Sequence, residues 1–196
     1  MNLSALAGIS LTSAALVLGM CLGGQVERFV DIVSFLIVAL TLPYLLMLTY
    51  RSDELKTYGL GGVRKYLLPS SGPTWGPSQH LKAARIANSA GTQAMMLGAA
   101  GTLIGTIQML QSLEDPTKIG PALAVAGLTL LYGLLINTLA CIPIARHHEL
   151  IAIQAGASPA AIDRDPPLRI ILVITALIGL SVGLCFFVML MAMAIA

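Results

Sequence analysis

Apolar residues fill five long stretches of the chain with little polar interruption: residues 3–22, 29–47, 91–110, 120–144 and 170–196. A helix needs about 20 mostly apolar residues to cross the hydrocarbon core of a bilayer. Inside lipid only helices or closed barrels satisfy every backbone donor and acceptor. None of the five stretches alternates apolar and polar residues as a barrel strand would, so the pattern predicts an all-α membrane protein with five transmembrane helices. The polar positions between them fall in two short turns and two longer loops. Residues 51–90 and 149–169 are the longer ones, the second a linker ahead of the last span.

The cations decide the orientation. Of the 11 Lys and Arg residues, nine lie in the segments 51–85 and 146–169, leaving only Arg28 and Lys118 for the two short turns. Positive charge accumulates on cytoplasmic loops, which places both longer loops and the N-terminus in the cytoplasm and the C-terminus outside. Stretch 3–22 has no Lys or Arg before it and suits a span better than a short signal region, so it is expected as a retained first helix.

Composition agrees with lipid burial. The chain is 57% hydrophobic and 10% charged, with a mean hydropathy of +0.87, whereas a soluble domain carries roughly a quarter charged residues. The net charge of +2 is a topology signal; no basic patch is interleaved with aromatics, which argues against nucleic-acid binding. Cys21, Cys141 and Cys185 sit in three separate apolar stretches without paired spacing, so neither a disulfide framework nor a metal site is expected.

Polar groups inside the spans are few, and they cluster. In the third span Gly98, Thr102 and Thr106 recur at intervals of four, with Gly101 and Gly105 beside them and Gln108 further on. In the fourth, Thr129, Gly133, Asn137 and Cys141 do the same, flanked by Tyr132, and the helix is expected to end at Pro143-Ile144-Ala145. Small residues at such spacing are a packing face, with each Thr hydroxyl turned back on its own helix; the same hydroxyls also suit a hydrated ion path, and spacing alone leaves both readings open. In the second span Asp31 is the acidic residue placed on a spanning helix, with Ser34 three residues on. Capping the helix start and attracting cations at an outer mouth explain Asp31 equally well. Pro43 is expected to kink the same span.

The cytoplasmic segment 51–90 is too short for a core of its own. Its centre, residues 68–77, is turn-rich; Ser78 is a candidate N-cap for a basic helix from Gln79 to Ala90. Trp75, Tyr50, Tyr58 and Tyr66 are expected as interfacial anchors, with a partner contact as the alternative. His80, His147 and His148 are expected to be solvated, since adjacent histidines point to different faces and chelate poorly. The last span, 170–196, is uncharged and reads as peripheral and lipid-facing, with packing glycines Gly179 and Gly183.

At these residues the chain resembles the flagellar stator subunits MotA and PomA, of the ion-driven motor family that includes TolQ and ExbB. The likeness lies in Phe29-Val30-Asp31 with Ser34 and Leu36-Ile37-Val38, in Gly101-Thr102-Leu103-Ile104-Gly105, in residues 115–133 and in Pro143-Ile144-Ala145. It covers most of residues 3–148 and implies a MotA-like four-helix core at 1–148 with a shortened loop at 51–90, plus an additional helix at 170–196. It further implies a homopentamer around two copies of a single-span MotB- or ExbD-like partner, whose membrane Asp takes up the ion. Thr102, Thr106 and Thr129 would line the path, with Asp31 and Ser34 at its outer approach. Gly98, Gly101, Gly105, Gly133, Tyr132 and Asn137 would serve packing, and Pro143 would lie near the inner end. Bearing on that implication, the third and fourth spans carry hydroxyls and amides but no carboxylate, so a proton relay there needs an acid from elsewhere.

The departures from the family pattern also carry meaning. Leu130 stands where sodium-driven members have a second threonine, which points to protons, although the Thr106 hydroxyl could offset that loss for Na⁺. Met95 replaces the proline at the start of the third span, and Ala39-Leu40 a Gly-Gly pair. The loop has no room for the rotor-contacting helix of flagellar stators. The expectation is an inner-membrane, channel-forming motor subunit without cofactor; a structural scaffold without ion flux is the alternative. No nucleophile–base pair or metal-ligand set occurs in a span, so an enzyme is not expected.

Overall fold

A computed structural model describes residues 3–22, 29–68, 74–111 and 115–158, and all regular structure among them is helical. The predicted span at 170–196, its glycines and Cys185 lie outside the described residues, as does the turn at 23–28.

Helix α1, Leu3–Leu22, is an aliphatic rod with no polar face. Two of its hydroxyls turn inward on the backbone, Ser10 donating to Ala7 O at 3.0 Å and Thr12 to Gly8 O at 2.8 Å. That leaves an apolar exterior. Helix α2, Ile32–Thr49, carries Pro43 inside it and ends at Tyr50 in extended conformation. The chain then turns sharply: the axis of residues 52–67 makes 120° with that of α2. This second arm consists of α3, Ser52–Glu54, a π-helical turn at Leu55–Leu60 and α4, Gly61–Leu67, run together without a break.

Helix α5 is the longest, Pro77–Gln111, 35 residues. Its start lies one residue before the expected cap at Ser78. Pro77 occupies the first helical position, where its missing N–H costs nothing, and the Gln79 side chain reaches back to accept from Gly76 N at 3.0 Å. The basic segment and the third apolar stretch are thus one rod.

After the turn, Asp115 caps α6, Pro116–Leu135, accepting from Thr117 N with Pro116 at the first position. Helix α6 passes through a π-helical turn, Ile136–Cys141, into α7, Ile142–Gln154. Here an expectation is corrected: the rod does not stop at Pro143-Ile144-Ala145. Proline lacks one donor and its ring crowds the preceding turn. The π turn directly upstream already departs from the regular ladder, so the ring is accommodated and the helix continues. It ends beyond Gln154, where Gly156 adopts φ 92°.

Two of these rods, 77–111 and 117–154, are long and apolar enough to cross a membrane, and the bent pair of α2 with the following arm makes up to three. They pack as an antiparallel pair along a seam of small residues. Gly91, Ala94, Gly98, Gly101 and Gly105 from α5 face Ala122, Ala126, Thr129 and Gly133 from α6, and all are buried. Backbones touch there: a methyl group on Gly101 would lie 2.6 Å from Thr129 Cβ, and one on Gly133 2.5 Å from Ala94 O. Gly98, Gly101, Gly105 and Gly133, four of the residues expected to serve packing, lie in this seam. Met109, Ile119 and Ala122 close the seam at the far end, and α2 lies against both rods.

Candidate functional site

Where α2 meets the α5–α6 seam, polar atoms collect in a shell of aliphatic side chains. Asp31 precedes α2 as its N-cap, its carboxylate accepting from Ser34 N at 2.8 Å and Ser34 Oγ at 2.5 Å. The capping explanation is therefore realised. Ser34 Oγ also approaches Val125 O on α6 at 3.4 Å. Thr129 Oγ1 reaches the same carbonyl at 3.0 Å and Ala126 O at 3.1 Å. Thr102, from α5, lies 2.9 Å from Ala126 O and 2.9 Å from its own helix at Gly98 O. Thr106 donates to Thr102 O at 2.8 Å. Of the five residues expected on an ion path, Ser34, Thr129 and Thr102 thus share two carbonyls of α6, Asp31 joins through Ser34 and Thr106 through the Thr102 carbonyl of α5. Ser34 and Thr129 are wholly enclosed and Thr102 and Thr106 nearly so.

Each hydroxyl brings one proton and two lone pairs. Thr102 and Thr129 each face two carbonyls with that one proton, so either can switch its hydrogen bond without moving a heavy atom. Such a network can orient hydroxyls and a polar group beside them, but its carbonyls only accept and so hand no proton onward. Beyond the Asp31 carboxylate at its edge it stores none, because neither a hydroxyl nor an amide carbonyl binds a proton near neutral pH.

Tyr132 locks this arrangement from the side. Its hydroxyl donates to Phe29 O at 2.7 Å and accepts from Asp31 N at 3.0 Å, while its ring meets Phe35 edge-on. An apolar cleft of about 360 Å³ opens beside it, bordered by Met20 of α1, Phe35 of α2 and Leu139. Asn137, on the π turn, donates to Met95 Sδ at 3.0 Å and lies directly against Gly91. Gln108 is exposed at the opposite end, in a hollow shared with Gln111 and Lys118. Pro143 stands one turn past Asn137, away from the hydroxyl network.

The other end of the rods holds a cluster that the sequence reading missed. His80 and His148 are buried, against the expectation that both are solvated. Their Nδ1 atoms lie 2.9 Å apart, and His148 Nε2 lies 3.0 Å from Gly62 O. A carbonyl only accepts, so His148 carries its proton on Nε2 and offers a bare Nδ1; His80 donates its Nδ1 proton there. Trp75 covers both rings and takes the Lys65 ammonium over its face at 4.7 Å. It is a wall of this cluster, with Tyr58 against its edge, while Tyr66 meets His147.

Burial pushes His148 down to about 4, with the histidines and Lys65 adding to it against the favourable bond to Gly62. His80 is lowered by burial first and then by Lys65 and His147, and His147 itself is lowered by burial. Glu149, next along α7, is buried between Arg146 at 3.0 Å and Asn88 at 3.2 Å. Neither group sits at a spacing that reads as chemistry in one dimension: His80 and His148 are 68 positions apart. Among the described residues no set of three His, Cys, Asp or Glu side chains could hold a metal ion.

A pair of long helices with a small-residue seam, hydroxyls on shared carbonyls and a capped helix laid against it defines a class of membrane-embedded helical subunit. Residues 77–154, which hold the seam and most of the network, match the family model of the MotA/TolQ/ExbB proton channel family, so the resemblance read from the residues is upheld and the chain is MotA/PomA-like. It is 36% identical over 101 residues to the chemotaxis protein PomA of Vibrio alginolyticus, covering 43% of this chain and 40% of that protein. It is 52% identical over 48 residues to the motility protein A of Aquifex aeolicus, 24% of this chain and 19% of that one. The matched stretch is thus well under half of the length of these relatives. A solved structure of MotAB from C. jejuni shares the fold, with a TM-score of 0.67 at 14% identity, over 79% of this chain and 84% of that one.

Proposed function

We propose that the protein is a channel-forming subunit of a proton-driven motor in the bacterial inner membrane, five-spanning with the N-terminus inside. In this reading five copies surround two copies of a MotB- or ExbD-like single-span partner, and ion flow becomes mechanical work. The observation that carries it is the network of Asp31, Ser34, Thr129, Thr102 and Thr106, joined by Val125 O and Ala126 O of α6 and by Thr102 O of α5. It provides a polar track across the seam but no group that holds a proton at mid-span, so the acid comes from the partner. Leu130 in place of a second hydroxyl favours H⁺ over Na⁺, a hard cation that needs several oxygens. With 51–90 too short for a rotor-contacting helix, the work is delivered elsewhere than to a flagellar rotor.

The competing reading is a scaffold without flux, and one observation favours it: each network hydroxyl is already within hydrogen-bond reach of a backbone carbonyl of the same subunit. Proton uptake by vesicles containing the protein and its single-span partner separates the two. Thr129→Val, which keeps the shape and deletes the hydroxyl, is expected to slow uptake roughly fivefold, as loss of one hydrogen bond of about 1 kcal/mol along the path would, while Thr129→Ser retains it. Equal uptake by all three, with the partner's Asp replaced or intact, overturns the motor reading.

A further inference from the structure

We propose that the arm of residues 52–67 is an interfacial helix that lies on the inner leaflet and binds anionic phospholipid headgroups. The proposal rests on the reading of the 51–90 segment as cytoplasmic. The 120° turn after Thr49 takes the chain out of the spanning direction, and the arm cannot cross a bilayer itself. It is 16 residues long and carries Asp53, Glu54, Lys56, Arg64 and Lys65.

Its two sides differ. One packs on the protein: Gly59 lies against Ile86 of α5, Gly61 against Trp75, and Gly62 against Ala83 and the His148 ring. The other presents Leu60, Val63 and Leu67, at spacings of three and four that place them in one row, followed by Leu68. Leu60 is 68% exposed and Leu67 50%. A row of large aliphatic side chains facing away from the fold needs a cover. Lys56 and Arg64, both exposed, flank that row two turns apart.

Two features choose lipid as the cover. The first is charge: cationic side chains beside an apolar row suit a surface with an apolar interior and anionic heads, with long stems letting the charges reach the headgroups. The second is continuity along the chain. Leu36, Leu40, Tyr44 and Leu48 of α2 recur every four residues and are all exposed, so the lipid-facing stripe of α2 ends just before the arm begins. A helix that follows a spanning one at this angle, with its free apolar row next in sequence, comes to rest at the membrane surface.

The full chain tests this, reconstituted in vesicles after Cys21, Cys141 and Cys185 are each replaced by Ala. A bimane fluorophore is attached through Val63→Cys, and separately through Tyr44→Cys as the reference for a lipid-facing spanning site. In phosphatidylcholine–phosphatidylglycerol vesicles with brominated acyl chains, the Val63 label is expected to be quenched about half as strongly as the Tyr44 label, and to resist aqueous iodide, as a helix at the headgroup–acyl boundary would. Lys56→Gln with Arg64→Gln should weaken the brominated-lipid quenching at 63 and leave that at 44 unchanged. A Val63 label quenched by iodide and untouched by brominated lipid overturns the proposal while the Tyr44 label upholds the membrane reading. Protection at 63 that ignores brominated lipid and disappears on dissociation of the oligomer assigns the row to a second copy, and also overturns it. An unquenched Tyr44 label brings down the membrane reading, and the proposal with it.

Discussion

At the scale of single residues, the histidine pair makes a pH-dependent element of the end of the rods away from the hydroxyl network. Trp75 lies on both rings and carries Lys65 over its face, His147 meets His148, and Tyr66 meets His147; no carboxylate among the described residues hydrogen-bonds to the two rings. His148 has a folded value of about 4 against an ordinary 6.5, and a depressed value favours the neutral form. Its contribution is complete above about pH 6.5 and is lost as pH falls towards 4, on the order of 3 kcal/mol in all. Trp75 is the only tryptophan of the chain, so its fluorescence reports the pair directly. Emission is expected to hold steady from pH 8 to 6.5 and to change below it, and His148→Phe should flatten that response. The substitution also leaves Gly62 O without its donor, lowering stability by about 1–3 kcal/mol. A second residue-scale expectation concerns Asp31. Asp31→Ala removes the N-cap of α2 at a cost of about 1 kcal/mol in resistance to denaturing detergent; Asp31→Ser, which can still cap, should recover most of it.

At the scale of elements, the α5–α6 seam is where the fold is least tolerant. Small residues repeat on α5 at 91, 94, 98, 101 and 105, the three-four alternation that keeps one face of a helix on its neighbour. Gly105→Leu would drive a side chain into Ala126, 2.7 Å from a single methyl, and is expected to cost more than about 3 kcal/mol or abolish insertion altogether, read as loss of folded protein in a detergent-resistance assay. The same side chain at Gly120 or Gly127, where a methyl meets nothing within 4 Å, should be nearly neutral. This seam was legible in the sequence because glycine spacing reports helix contact almost without interpretation. The π turn at 136–141 was not. On α6 and α7 buried positions fall at 133, 141 and 145 with Asn137 between, spaced by four throughout. A regular helix would carry such a row around its surface by 40° per step, and the wider π turn winds it back. Only the pairing with α5 imposes that correction, so no local residue preference announces it.

At the scale of the whole molecule, the apolar pattern foretold an all-helical fold, of which the described residues hold two helices long and apolar enough to span a membrane, or up to three. The chemistry at the histidine end stayed hidden. Gly62, Trp75, His80 and His148 come from four separate segments, and each alone resembles a loop residue. The hydroxyl network was only half legible, for Thr102 and Thr129 stood out by spacing while the carbonyls that join them belong to Val125 and Ala126, which carry no polar side chain. Assembly is the expectation that belongs here. Native mass measurement of the protein co-purified with its single-span partner is expected to give five copies to two, and a lone monomer or dimer would contradict it.

The length of α5 has a mechanical consequence. At 35 residues it reaches about 50 Å, against roughly 30 Å of hydrocarbon, and its backbone touches that of α6 with no flexible side chain between them. Two rods in backbone contact along such a seam resist bending more than either does alone. A push applied at the hydroxyls is therefore expected to travel towards the histidine end, as it would along a crowbar.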